Sequence, residues 1–459
     1  MSSTSESASS LLRFFDEKRD SILDDLFTFL RFPSISTDPV YRSEVAACAD
    51  WVCKYCRQSG LTAELWPTAV HPVVYAEWLD AGPDKPTVLL YGHYDVQPVD
   101  PLDLWDSPPF EPVIRAGQIY ARGAVDNKGQ CFYVIQALRA LLERDGKLPV
   151  NVKLFLEGEE ETGSKGVSEI LDERSKQLKA DYLLVVDSGI ERLERPSVTI
   201  GYRGLTQLTV RVMGSNTDLH SGIHGGIAIN PIHALVQMLS SARDASGTIT
   251  IPGFYDGVVE LTEEERSKID FDFDEADYST TFGASTAGGE QRYRPLESAW
   301  LRPTFEINGI SGGYTGDGFK TVIPAVATAK ISCRLVPEQD PEIIGKSVAD
   351  FLQSVAPEGI EVHVDVGHGG KALRTTPNGK IVQASANAIT DVCGIPCLYI
   401  LTGGTIPITA SLAEAAGAEV ALIGYALPTD RLHAPNEHFG VDRFRLGLAT
   451  VGRILELLA

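Results

Sequence analysis

His93 and Asp95 stand two residues apart just beyond the apolar run 87–91, where strand alternation turns both side chains to one side. A metal-binding histidine commonly gives its second ring N–H to a carboxylate, so this pair suits a ligand and the acid that orients it. Asp126 follows in a Gly-bounded turn, 121–129, ahead of the helical pattern 132–142. Alone it reads as a helix N-cap; beside His93 it is a further ligand candidate. Glu159, Glu160 and Glu161 crowd the turn after the run 152–156, and such a concentration of charge needs solvent or a cation. Within a metal site it supplies one ligand and one free carboxylate able to take a proton from water. Asp187 follows the run 181–186, and His433 sits in a loop after the run 420–424. Two histidines with several carboxylates form the mixed N/O set of zinc or manganese rather than the thiolate set of structural zinc.

The elements that must position these residues are short and apolar. Runs 87–91, 152–156 and 181–186 are continuous, as strands buried on both faces are. Polar groups following three such strands converge at the edge where open α/β sheets bind substrates. Amphipathic spacing predicts a helix from Leu11 to Leu30, ended by Pro33, and another over 43–58. Cys48, Cys53 and Cys56 recur at helical spacing in the second, which reads as core before metal or redox chemistry. From Gly201 the texture changes. Residues 205–212 alternate, 325–336 and 359–366 read as strands, 230–242 and 341–355 as helices, and an acidic, Gly-rich stretch fills 254–294. The expected organisation is a discontinuous α/β domain, 1–202 and 376–459, with a smaller α+β unit inserted at 203–375.

The chain has 459 residues, with 40 Lys and Arg against 62 Asp and Glu, a net charge of −22. That charge disfavours nucleic acid as a partner and a two-metal phosphodiesterase as a function. Hydrophobic residues make up 43%, ample for a core. The first ten residues carry no secretory signal pattern, no apolar run approaches membrane-spanning length, and seven cysteines are scattered along the chain. A cytoplasmic protein with reduced thiols and no membrane partner is expected.

In order along the chain, YGHYDVQP (91–98), ARGAVDNKGQ (121–130), LEGEEETGS (156–164), DLHSGIHGG (218–226), IPGFYDG (251–257), KTVIP (320–324), RLVP (334–337), HGGK (368–371) and HAPNEH (433–438) resemble the M20 metallopeptidases. The branch they resemble holds cytosolic nonspecific dipeptidase and carnosinase. The resemblance implies a dinuclear-metal catalytic domain, its central mixed β-sheet flanked by helices, and an inserted α+β lid domain through which a homodimer forms. It implies two divalent ions, Zn2+ or Mn2+: His93 and Asp187 bind one, Glu161 and His433 the other, and Asp126 bridges both. Glu160 is then the general base, Asp95 orients His93, and the Asp126–Asn127 bond is cis. His220, from the neighbouring subunit's lid, is implied as the oxyanion donor. Arg334, helped by Thr321, His368 and Thr405, is implied to bind the free carboxylate of a small peptide substrate.

One departure from the branch stands out. It has Glu-Gly-Gly-Ser where this chain has Thr402-Gly403-Gly404-Thr405, so the hydroxyl at 405 is kept and the carboxylate at 402 is lost. The expected activity is hydrolysis of short peptides, chiefly dipeptides with a free C-terminal carboxylate. An N-acyl-amino-acid deacylase and a catalytically inactive dimeric binding or scaffold protein are the competing readings. Asp187, where deacylases often carry Glu, weighs against the first; the presence of every ligand and of Glu160 weighs against the second.

Overall fold

The computed structural model describes residues 6–367, 369–406 and 408–459. The α/β class read from the sequence and the mixed sheet that the resemblance implies are what it contains. Thr87–His93, Asn151–Glu157 and Tyr182–Val186 lie parallel at the centre of a sheet of nine strands among the described residues. Alternate residues serve opposite faces: Val88 and Leu90 join one core, Leu89 and Tyr91 the other, which is why these runs are apolar without a break. Glu419–Ile423 continues the parallel set. Val73–Trp78 and Thr62–Trp66 add antiparallel strands at one edge. Ser197–Tyr202 closes the other, flanked by Leu373–Arg374 and, in parallel, Leu398–Thr402.

Helices Glu6–Leu30, Arg42–Gln58, Lys128–Asp145, Lys380–Cys393 and Val441–Leu457 pack on one face, and Lys165–Leu178 and Thr409–Ala416 on the other. Cys48, Cys53 and Cys56 are buried in the first of these cores. Among the described residues, no helix is long and apolar enough to cross a membrane.

After Tyr202 the chain enters a smaller antiparallel sheet, ordered Thr304–Gly312, Val326–Leu335, Gly204–Met213, Glu361–Val366. Its strands alternate because one face only is covered. Leu208, Val210 and Val212 turn inward to helices Pro231–Ser241 and Pro341–Ser354, whose first turns are capped by Asn230 and Asp340. The chain rejoins the large sheet at Leu373.

The stretch 261–301 follows neither sheet. Leu261, Ile269 and Leu301 are buried in the large core, and Asp270 N donates to Tyr399 O at 2.9 Å. Arg195 pairs with Asp270 on the same side. Yet Gln291 N donates to Ser246 O, 3.0 Å away on the smaller unit. This segment is a strap laid across both bodies, bridged to the Leu398–Thr402 flank at Ile269 and Tyr399.

Candidate metal centre

The central strands deliver His93, Glu160, Glu161 and Asp187 to one sheet edge, and two loops bring in Asp126 and His433. His93 Nε2 lies 3.1 Å from Asp126 Oδ1 and 3.8 Å from Asp187 Oδ1. His433 Nε2 lies 2.9 Å from Asp126 Oδ2 and 3.5 Å from Glu161 Oε2. Ligand atoms of His93, Asp126 and Asp187 fall within 4.8 Å of one another, as do those of Asp126, Glu161 and His433. The two sets share Asp126. That residue is no helix cap: the helix starts at Lys128, and both Asp126 carboxylate oxygens meet histidines.

Buried polar contacts fix these side chains. Asp95 Oδ1 lies 3.3 Å from His93 Nδ1 and accepts from Glu160 N at 3.3 Å; Oδ2 accepts from Ser36 Oγ at 2.6 Å and Glu161 N at 3.1 Å. Asp95 thus orients the histidine ring, its main-chain O lying 3.1 Å from Nδ1 beside the carboxylate, and its carboxylate anchors the turn carrying both glutamates. The Asp126–Asn127 bond is cis. Asn127 Nδ2 donates to Val186 O at 2.9 Å and to Asp187 Oδ1 at 2.8 Å, joining the two loops. Glu437, to which the sequence assigned no role, accepts from the backbone N–H groups of Gly123, Val125 and Asp126 at 3.0, 3.0 and 3.1 Å, and from Arg122 at 2.7 Å. It ties the Asp126 loop to the His433 loop. Both partners sit inside quoted motifs, but 315 positions separate Arg122 from Glu437, and no spacing rule joins them.

The electrostatics of the cluster call for a cation. Burial, reinforced by Asp126, pushes Glu161 up to about 8. Burial also takes Asp187 to about 6 and holds Glu160 well above the usual carboxylate range, with Asp187, Glu161 and Asp126 adding repulsion. It acts on Asp126 in the same sense, but His433 and His93 outweigh it and bring that carboxyl down. Contact with Asp126 raises His433 to about 9. Gln97 Nε2 donates to Glu161 Oε2 at 2.6 Å, while Glu161 Oε1 is buried without a partner. An orphaned carboxylate oxygen among N and O donors, with no thiolate in either set, fits divalent metal ions. Glu160 belongs to neither set and lines the same cavity.

That cavity, about 670 Å³, runs from Asp126, Glu160, Asp187 and His433 to Thr402 and Thr405. Thr405 Oγ1 accepts from Arg334 Nη1 at 2.8 Å and donates to Arg203 O at 2.6 Å. Burial lowers both arginines, Arg203 to about 10 with Arg334 pushing the same way. Arg203 Nε is buried without a partner, and among the described residues neither guanidinium is ion-paired, so the pair is set to receive an anion. Arg203 escaped the sequence reading; only its place beside the strand switch at 202–204 marked it.

His220 and Thr321 are placed elsewhere. Both are exposed, His220 on a short ladder that pairs Leu219–His220 with Val322–Ile323 and Thr321 just before it, and neither lines the cavity. His220 Nδ1 accepts from Gly222 N at 3.0 Å. His368 lies outside the described residues.

A doubly covered mixed sheet with two ligand sets sharing one carboxylate at its strand ends defines a dinuclear metallohydrolase. The model of peptidase family M20/M25/M40 matches residues 89–457, and the chain belongs to that family. It is 30% identical to the Cys-Gly metallodipeptidase dug1 of Schizosaccharomyces pombe over 455 residues, 95% of each chain. Among solved structures it is similar to the M20 family metallo-carboxypeptidase Sso-CP2 from Sulfolobus solfataricus, with a TM-score of 0.85 and 33% identity over 95% of this chain and 99% of that one. Human carnosine dipeptidase 1 gives a TM-score of 0.81 and 29% identity over 98% of both.

Proposed function

We propose that this chain is a metallodipeptidase that hydrolyses dipeptides bearing a free C-terminal carboxylate. The observation that carries the reading is the single cavity joining the two ligand sets and Glu160 to Thr405, the hydroxyl bonded to Arg334. One end suits a scissile carbonyl and the other a carboxylate.

Divalent ions held by His93, Asp126 and Asp187 and by Asp126, Glu161 and His433 supply Lewis acidity, polarising a carbonyl and lowering the pKa of water. The rest is done by the chain. Glu160, whose burial and acidic neighbours give its carboxylate a high proton affinity, takes the proton of the attacking water and passes it to the leaving amine. Asp95 keeps the His93 ring in place. Arg334 and Arg203 hold the substrate carboxylate, and Thr405 sets the Arg334 fork.

The oxyanion donor belongs to a second copy. His220 and Thr321 face solvent in their own chain, beside the exposed Ile223, Ile227 and Phe319, which supports a homodimer in which this ladder reaches the partner's cavity. With that reading goes the division into 1–202, 203–375 and 376–459, supported by the departure from the large sheet after Tyr202 and the return at Leu373. Zinc and manganese both suit the donor set. A cytoplasmic setting is supported by the seven cysteines, all free.

The test is hydrolysis of a dipeptide panel and of N-acetyl amino acids by zinc- or manganese-reloaded wild type and Glu160→Gln, with metal quantified in both. Dipeptides are expected to be cleaved, and the variant to lose about 10²- to 10⁴-fold in kcat with its metal retained. Turnover of the acetylated compounds alone would overturn the reading in favour of a deacylase.

A further inference from the structure

The end of the cavity beside Thr405 is walled by apolar groups. Tyr202, Ile400, Leu401 and Ile406 come from the edge of the large sheet, and Trp300 comes from the strap. Trp300 sits on helix Pro295–Leu301, its ring centroid 5.7 Å from that of Phe271, which packs with it against the large core. Thr402 Oγ1 accepts from Gly404 N at 3.3 Å, and Thr405 holds Arg334 and the Arg203 carbonyl, while the Tyr202 hydroxyl is buried without a hydrogen-bond partner.

Charge is confined to other parts of the cavity. Asp126, Glu160 and Asp187 lie at the metal end, and Glu191 at the rim is paired with Arg195 at 3.0 Å. Among the described residues, no lysine or arginine lines it. A dipeptide with its scissile amide at Glu160 and its carboxylate toward Arg334 must lay its C-terminal residue along the Trp300 wall.

We propose that this wall is the side-chain pocket for the C-terminal residue, that it selects large apolar and aromatic side chains there, and that Trp300 is its specificity-determining residue. The proposal rests on the dipeptidase reading and narrows its substrate class. A phenylalanine or leucine buries apolar surface against Trp300 and Ile400, and an aromatic ring gains a stacking partner. A C-terminal glycine leaves the wall hydrated. A C-terminal lysine loses hydration and meets two guanidinium groups, not a counter-ion, beside Thr405.

The experiment compares kcat/KM for Ala-Phe, Ala-Leu, Ala-Gly, Ala-Asp and Ala-Lys in metal-reloaded wild type, Trp300→Ala and Trp300→Phe, with folding checked by circular dichroism. Wild type is expected to favour Ala-Phe and Ala-Leu over Ala-Gly by about 10- to 100-fold. Trp300→Ala should lower the Ala-Phe to Ala-Gly ratio by about tenfold, and Trp300→Phe should recover most of it. Ala-Gly cleaved as well as Ala-Phe by wild type sinks the pocket and leaves the dipeptidase reading standing. An unchanged ratio in Trp300→Ala, with both substrates slowed alike, makes Trp300 a packing residue and overturns its role. Cleavage of no dipeptide by fully loaded protein removes both readings together.

Discussion

The strand ends of the large sheet and the short ladder of the smaller unit each present a histidine, and the two could hardly be held more differently. His93 is fully buried, with Nδ1 against Asp95 and Nε2 against Asp126 and Asp187. His220 is exposed, and the bond the structure gives its ring is the N–H of Gly222 two residues on. A side chain whose environment is complete within its own chain can be read for function directly. One that faces water shows only how it is presented, and its role rests on the proposed dimer.

Four changes would break or sharpen that contrast. Asp126→Ala removes a ligand from both sets, so metal analysis should find both ions lost and kcat lower by more than about 10³-fold. Retention of one ion would mean the sets are independent. His220→Ala should lower kcat by about 10²- to 10³-fold while metal content and Tm stay at wild-type values. Mixing it with Glu160→Gln should restore about a quarter of wild-type activity by random subunit exchange, since half the dimers then hold one intact site. No recovery on mixing would confine His220 to its own chain and erase the contrast.

Glu437→Gln acts only through the loops it joins. It is expected to weaken metal affinity by about 10- to 100-fold, read by metal titration, with much of the loss in kcat reversed at saturating metal.

The smallest effect concerns pH. Burial lifts Glu157, which accepts from Tyr91 Oη at 2.5 Å, to about 8, alongside Glu161 at about 8 and Asp187 at about 6, and Asp126 lifts His433 to about 9. Each group keeps in the folded, metal-free protein a proton that the unfolded chain has released. Stability therefore falls as pH rises from the ordinary carboxylate range to about 8, and through the His433 window from 6.5 to about 9. Bound cations take over the neutralising role. The metal-induced rise in Tm should exceed its pH 5.5 value by about 2 to 4 °C at pH 8, measured by calorimetry. An equal rise at both values would show that the acids are relieved by something other than metal.

The runs 87–91, 152–156 and 181–186 were legible as buried-strand candidates whose ends gather His93, Glu161 and Asp187 at one sheet edge, while the assignment of ligands came from the family resemblance. Asp126 was legible as a residue but not as a geometry: in sequence it resembles a cap, and only the approach of His433 from 307 positions away turns it toward two histidines. Glu437 and Arg203 were missed for a related reason. Glu437 acts on backbone N–H groups, which every residue possesses and no motif records, and Arg203 is marked only by a buried guanidinium without an ion pair among the described residues. The acidic, Gly-rich stretch 254–294 was placed within the inserted unit 203–375 by the strands on either side, and its texture says nothing about which core the scattered Leu261, Ile269 and Leu301 enter.

That stretch also governs how the molecule can flex. An inserted domain joined by two chain segments can swing about the line between them. Here, among the described residues, the chain passes between the two cores near 202–204, 254–261, 301–305 and 366–373. Four tethers spread over the seam convert a swing into a shallow twist. Because Trp300 rides on one of the tethered segments, whatever displaces the strap displaces one wall of the cavity with it.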